Sequence, residues 1–175
     1  MKMGINIQEY LTKLRQEKFR AIIIHAKPQS DTALRQFAGQ IHEKIGGGYL
    51  DVLGYFQADT KIAEEVDRFN PDQFKALLQD KSKGEKLFIV DRADFLLDTW
   101  RRTERQAFYR MIEKQWNSFI GTMGATLIFC LQTSDEIEAL KITDSHGDRR
   151  VHRLEEFNFS STVVCMVGIV TRCND

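Results

Sequence analysis

Residues 21–34 read AIIIHAKPQSDTAL, and this stretch decides the fold. The run AIIIH is short, apolar and rich in β-branched side chains, which indicates a strand covered on both faces. A polar turn follows, and apolar side chains then recur at helical spacing over residues 31–45 until the glycines at 46–48 end the helix. A buried strand, a short turn and an amphipathic helix together form the repeating unit of a parallel sheet.

The same alternation extends in both directions along the chain. Predicted strands cover residues 49–56, 86–90, 125–131 and 151–159, and predicted helices cover residues 7–18, 60–69, 71–80, 99–120 and 135–140. We therefore predict one α/β domain over residues 1–175, with a mainly parallel sheet of about five strands and helices on both faces. The first helix lies within residues 1–19, and an extra strand is predicted within residues 160–175.

The composition and net charge of the chain exclude some classes of protein. Lys plus Arg and Asp plus Glu each number 25, so the net charge is zero, and 42% of the residues are hydrophobic. This composition excludes a disordered chain and lacks the overall basic excess of a nonspecific nucleic-acid binder, although a local basic face stays open. The three cysteines are unclustered, and no apolar run is long enough for a membrane span or a secretory signal. We expect a reduced, cytoplasmic protein without a membrane partner.

The turn after the first strand carries a recognisable motif. Residues 22–38 read IIIHAKPQSDTALRQFA and resemble the phosphate loop of P-loop NTPases, in the AAA-type subset with the pattern hhhxGKPGSGKTxLL. Lys27, Pro28 and Ser30 match the front of that pattern, whereas Asp31 and Thr32 match its Lys-Thr end. The resemblance implies a three-layer P-loop fold in which Lys27, Ser30 and Thr32 would contact a nucleotide.

The chemistry of that loop is degenerate. A working loop needs glycines so that backbone N–H groups surround the phosphates, and a lysine that reaches the β and γ oxygens. Ala26 and Gln29 stand at glycine positions, and Asp31 or Thr32 stands at the lysine position. A carboxylate about 4 Å from a phosphate charge is repelled by about 1 kcal/mol even in water. The alternative role for Asp31 is to cap the following helix.

A second segment resembles the Walker B strand of the same families. Residues 86–98 read KLFIVDRADFLLD, in which Asp91 matches the aspartate that holds Mg²⁺. Arg92 replaces the acidic residue that polarises the attacking water, and Asp94 is the nearest other acid. Alternatively, Asp91 and Asp94 cap the end of the strand or pair with Arg92.

Further matches lie downstream. Residues 126–134 read TLIFCLQTS and resemble the sensor-1 strand, with Gln132 at the polar sensor position. Residues 148–159 read DRRVHRLEEFNF, where the resemblance makes Arg149, Arg150 and Arg153 candidates for an arginine finger toward a neighbouring subunit. A solvated charged loop explains these arginines as well.

One helix outside these motifs carries an arginine-rich face. Residues 99–110 read TWRRTERQAFYR, which places Arg101, Arg102 and Arg105 opposite an aromatic face. Arginine beside aromatic residues binds protein partners or phosphates, and a plain solvent-exposed face is the alternative.

The resemblance extends over residues 21–159 and leaves no room for the helical lid of AAA proteins. A small, lidless protein of this kind is similar in size to the BrxF subunit of bacterial BREX phage-defence systems. We predict a subunit without nucleotide hydrolysis or cofactor, working in a homo- or hetero-oligomer within an ATPase, DNA-processing or phage-defence complex. Two alternatives stay open: an active NTPase that binds ATP and Mg²⁺ through Asp91, with Asp94 and Gln132 assisting, and a DNA-binding module that uses the arginine-rich helix.

Overall fold

The computed structural model describes residues 4–116 and 124–159. Five parallel strands form the main sheet in the order β3-β4-β5-β2-β6. They are β2 (Ala21–Ala26), β3 (Gly48–Asp51), β4 (Leu87–Asp91), β5 (Thr126–Gln132) and β6 (Val151–Arg153). Two further strands of two residues each, β1 (Ile5–Asn6) and β7 (Phe157–Asn158), pair with each other. The predicted α/β class and the parallel five-stranded sheet are confirmed.

Helices cover both faces of this sheet. They are α1 (Ile7–Leu14), α2 (Asp31–Ile45), α3 (Val52–Ala58), α4 (Thr60–Glu64), α5 (Pro71–Lys81), α6 (Asp94–Thr99), α7 (Arg102–Arg110) and α8 (Asp135–Ala139). Apolar side chains of α1 and α2 pack with Ile22 and Ile24 on one face, and those of α3, α5, α6 and α7 pack with Ile23 on the other. Because successive side chains of a strand point to opposite faces, the AIIIH run is fully buried.

Several predicted elements are shorter than their hydrophobic patterns indicate; for example, the helices predicted over residues 7–18 and 60–69 end at Leu14 and Glu64. The strand predicted over residues 49–56 stops at Asp51, whose carboxylate accepts the N–H of Gly54 and starts α3. The helix predicted over residues 99–120 is interrupted at Trp100, whose backbone is extended while its indole N–H donates to the carbonyl of Phe69 at 2.6 Å. The strand predicted over residues 151–159 is interrupted by a 3₁₀ turn at Leu154–Glu156.

Other parts of the prediction agree with the structure or cannot be compared with it. Helices α2 and α5 match their predicted ranges, and the N-terminal helix occupies Ile7–Leu14. The predicted extra strand in residues 160–175 and the end of the helix predicted to reach residue 120 lie outside the described residues. Within residues 4–116 and 124–159, no helix combines the length and apolarity that crossing a bilayer requires.

Candidate functional site at the carboxyl edge of the sheet

The carboxyl ends of three strands bring the sequence-selected polar residues together. Asp91 ends β4, and Gln132 ends β5, where it lies opposite Ala26 of β2. The backbone N–H of Gln132 donates to Asp94 Oδ1 at 2.6 Å, and its side-chain amide donates to Asp31 Oδ1 at 3.2 Å. The three segments that resemble a phosphate loop, a Walker B strand and a sensor strand therefore meet at one edge of the sheet.

An arginine that sequence reasoning missed occupies the centre of this cluster. Arg35, one turn into α2, donates from Nη1 to the carboxylate of Asp91 and from Nη2 to Asp31 Oδ1 at 2.8 Å. The same Nη2 lies 3.4 Å from Asp94 Oδ2. Asp31 and Arg35 are four residues apart, a spacing that places both side chains on one helix face, and this was the available signal.

Hydrogen bonding and burial shift the pKa values of Asp31 and Asp94 in opposite directions. Asp91 is 1% exposed, and its carboxylate also accepts the Tyr49 hydroxyl and the N–H of Arg92. The hydrogen bond from Arg35 lowers the pKa of Asp31 below its usual value. Burial raises the pKa of Asp94 above its usual value, in spite of the opposing effects of Gln132 and Arg35. The pKa of Asp31 therefore lies below the ordinary aspartate value, and the pKa of Asp94 lies above it.

The Arg92 side chain pairs with neither Asp91 nor Asp94, the acidic residues closest to it in sequence. Its guanidinium forms a two-point ion pair with Asp51 of β3, including a 2.8 Å contact from Nε to Oδ1. Its φ is +54°, a left-handed conformation that costs a non-glycine residue about 1–2 kcal/mol. The expected alternative of an Arg92 side-chain pair with Asp91 or Asp94 is wrong, because Asp51 holds the guanidinium and Arg35 holds the other two carboxylates.

The loop between β2 and α2 is a compact turn. Pro28–Ser30 form a 3₁₀ turn in which the N–H of Ser30 donates to Lys27 O and the N–H of Asp31 donates to Pro28 O. Lys27 and Thr32 are exposed, and Ser30 is half-buried. The expected capping role of Asp31 is also wrong: Ser30 stands at the cap position, and the Asp31 carboxylate turns to Arg35 and Gln132.

The candidate interaction arginines divide into exposed and engaged groups. Arg101 and Arg102 are exposed at the start of α7, whereas Arg105 forms a two-point pair with Glu136 at 2.8 and 2.9 Å. Arg149 and Arg153 are both exposed. Arg149 pairs with Glu156, and Arg153 pairs with Glu138. Both arginines line a groove of about 660 Å³, together with His25 and Lys27.

Arg150 is not an interaction residue. It is 1% exposed, and its guanidinium donates to the backbone carbonyls of Thr143, Ala21, Ile112 and Glu113 at 2.8–2.9 Å. Burial lowers the pKa of this guanidinium. The assignment of Arg150 to an arginine finger is thereby corrected, because a neighbouring subunit has no access to it. The arginine at 149 or 153 keeps the exposure that such a role requires.

Comparison with the sequence models of protein families finds no match for this chain, and comparison with curated proteins finds no significantly similar sequence.

Proposed function

We propose that this chain is a degenerate AAA-type P-loop-like domain that does not hydrolyse nucleotides and serves as an interaction or assembly subunit. Its setting would be a larger ATPase, DNA-processing or phage-defence complex. The observation that carries the proposal is the position of Arg35, whose guanidinium lies among Asp31, Asp91 and Asp94. In an active domain, the loop lysine, Mg²⁺ and the nucleotide phosphates would share this place.

The strand order supports the family part of the proposal. Strand β5 lies between β2 and β4, with residues 87–91 and residues 21–26 paired to its two edges. The three segments that resemble NTPase motifs therefore follow adjacent parallel strands, and this arrangement supports the proposed relationship.

The conformation of the β2–α2 loop supports loss of phosphate binding. A phosphate cradle requires consecutive backbone N–H groups that point inward without internal partners. In this loop Pro28 has no N–H, and the N–H groups of Ser30 and Asp31 already donate within the turn. All residues of the described chain with positive φ lie outside residues 27–30. A phosphate would have to break the turn before it could bind.

The charge of the site opposes a triphosphate. Asp31, Asp51, Asp91 and Asp94 outnumber Arg35 and Arg92, the arginines that pair with them. The excess negative charge repels phosphate oxygens, and Arg92 is held by Asp51 rather than directed at the cluster. Asp94, the nearest other acid, accepts the backbone N–H of Gln132 at 2.6 Å and lies 3.4 Å from Arg35 Nη2.

Titration of the full chain with ATP and Mg²⁺, followed by calorimetry and by phosphate release, tests the loss of nucleotide chemistry. We expect neither micromolar binding nor turnover in the natural chain. The Asp91→Ala variant is the comparison, since Asp91 would hold Mg²⁺ in an active domain. Micromolar binding with turnover that disappears in Asp91→Ala would overturn the proposal and favour the NTPase alternative.

The assembly role is tested on the exposed arginines of α7. Sedimentation equilibrium of the natural chain is compared with a variant in which Arg101 and Arg102 are both changed to glutamate. Matched changes at the exposed Lys83 and Lys86, before the amino end of β4, are the control. We expect association that the α7 change weakens and the control leaves intact. A monomer that shifts DNA in a gel, with affinity that falls at higher salt, would instead favour nucleic-acid binding.

A further inference from the structure

A second cluster of ligand-type side chains lies away from the carboxyl edge of the sheet. Glu17 follows α1, and Asp144 and His146 lie in the loop that precedes β6. Each of the three offers one ligand atom, and these atoms all lie within 4.8 Å of one another. Glu17 Oε1 and His146 Nδ1 are 3.0 Å apart. Glu17 is far in sequence from Asp144 and His146, so that sequence spacing alone gave no sign of this group.

Hydrogen bonds fix the orientation of both carboxylates. Glu17 has a side chain that is nine-tenths buried, and its Oε2 accepts the backbone N–H of Ser145 at 3.2 Å and the Ser145 hydroxyl at 2.5 Å. Asp144 Oδ1 accepts the backbone N–H groups of His146 at 2.8 Å and Asp148 at 2.9 Å. Supporting contacts of this kind commonly orient metal ligands.

The surroundings of the cluster are negative and accessible. Glu17, Asp144 and His146 line a cavity of about 760 Å³ that Tyr10 also lines. The acidic residues that line this cavity (Glu17, Asp144 and Asp148) outnumber its lysine and arginine residues (Lys13 and Arg149), and the cavity has room for a water molecule as an additional ligand.

The donor set selects the class of cation. Zn²⁺ accepts imidazole nitrogen and carboxylate oxygen at about 2.0–2.2 Å, so neighbouring ligand atoms of a tetrahedral site are about 3.4 Å apart. Moving three atoms that are already within 4.8 Å of one another to that spacing requires shifts of about 1 Å. Mg²⁺ and Ca²⁺ prefer sites made of oxygen alone, which disfavours them here.

We propose that Glu17, Asp144 and His146 bind one zinc-class divalent cation, which joins the end of α1 to the loop before β6. The site is independent of the proposed function at the carboxyl edge of the sheet. The competing explanation is a simple ion pair between Glu17 and a protonated His146.

Calorimetric titration of the chelator-treated full chain with Zn²⁺ near neutral pH distinguishes the two. His146 has a side chain that is 75% exposed, so His146→Ala removes a ligand without disturbing the core. The exposed His42, which contacts Gly47 O, provides the matched control His42→Ala. We expect one bound ion per chain, an affinity at least about 100-fold lower in His146→Ala, and unchanged binding in His42→Ala.

Two further measurements complete the test. Zn²⁺ should raise the unfolding temperature of the natural chain and of His42→Ala, but not of His146→Ala, since a ligand of the folded state stabilises it. Co²⁺ in place of Zn²⁺ should give ligand-field bands without the charge-transfer band of cysteine thiolates. Absence of binding at about 100 µM Zn²⁺, equal affinity in His146→Ala, or a thiolate band would each overturn the proposal.

Discussion

Removal of Arg35 is expected to be the most disruptive single change at the carboxyl edge of the sheet. Arg35→Ala leaves Asp91, which is 1% exposed, without the guanidinium that pairs with it, and places three like charges around the vacated space. Breaking a buried pair by removing one partner costs about 3–5 kcal/mol. Asp91 keeps the N–H of Arg92 at 2.9 Å and the Tyr49 hydroxyl. We therefore expect the lower end, about 3 kcal/mol.

Urea unfolding followed by circular dichroism measures this loss, which corresponds to a decrease of about 6–12 °C in unfolding temperature for a chain of this size. Arg105→Ala is the matched control, since Arg105 also forms a two-point pair with a carboxylate, but both partners are about one-third exposed. That change should cost about 1 kcal/mol or less. Adding Asp91→Asn to Arg35→Ala should restore about 2 kcal/mol, because the buried charge is then removed as well.

The stabilising role of Arg35 is refuted if Arg35→Ala lowers the free energy of unfolding no more than Arg105→Ala does. It is also refuted if adding Asp91→Asn to Arg35→Ala restores none of the lost stability. Either result would show that the cluster at the carboxyl edge is stable without its central cation.

Further predictions concern Arg92, Asp94 and Asp31, which lie close to Arg35 or Asp91. Arg92 has a φ of +54°, so Arg92→Gly should be more stable than Arg92→Ala by about 1 kcal/mol in the same urea assay; both lose the pair with Asp51, and equal stabilities would contradict the strain argument. Burial raises the pKa of Asp94, so its contribution to stability is present in acid and is lost as pH rises through that raised pKa. Relative to the natural chain, Asp94→Asn should therefore gain stability as the pH rises above about 4, the ordinary aspartate pKa. Arg35 lowers the pKa of Asp31, so Asp31→Asn should lose stability relative to the natural chain as the pH rises toward about 4. Parallel pH profiles for the two variants would be inconsistent with these assignments.

The parallel sheet could be predicted from sequence because its central strands are apolar on both faces. The runs at β2, β4 and β5 have this character, and each is almost wholly buried. Helix and strand ends were less predictable, since they depend on single contacts such as the indole of Trp100 with Phe69 O. A hydrophobic pattern carries no information about such a contact.

The polar residues of the site could be selected by sequence, but their partners could not. The motif resemblance selected Asp31, Asp91, Asp94 and Gln132, and the carboxyl ends of parallel strands bring these four residues together. Which cation joins them depends on strand order, because β5 sets the distance that the Arg35 side chain must span from α2 to β4. The four-residue spacing of Asp31 and Arg35 permits a pair between them, but it carries no information on a contact with Asp91.

Arg150 has a consequence for how the outer strand of the sheet is aligned. Strand β6 pairs with β2 over only three residues, a length that by itself specifies alignment weakly. A slip of one position would remove the guanidinium from the four carbonyls of Thr143, Ala21, Ile112 and Glu113. A buried carbonyl that loses its hydrogen-bond donor costs about 1–3 kcal/mol, so misalignment is penalised beyond the loss of strand pairing. Through this one buried side chain, the alignment of β6 also depends on residues 112–113, which lie outside the sheet.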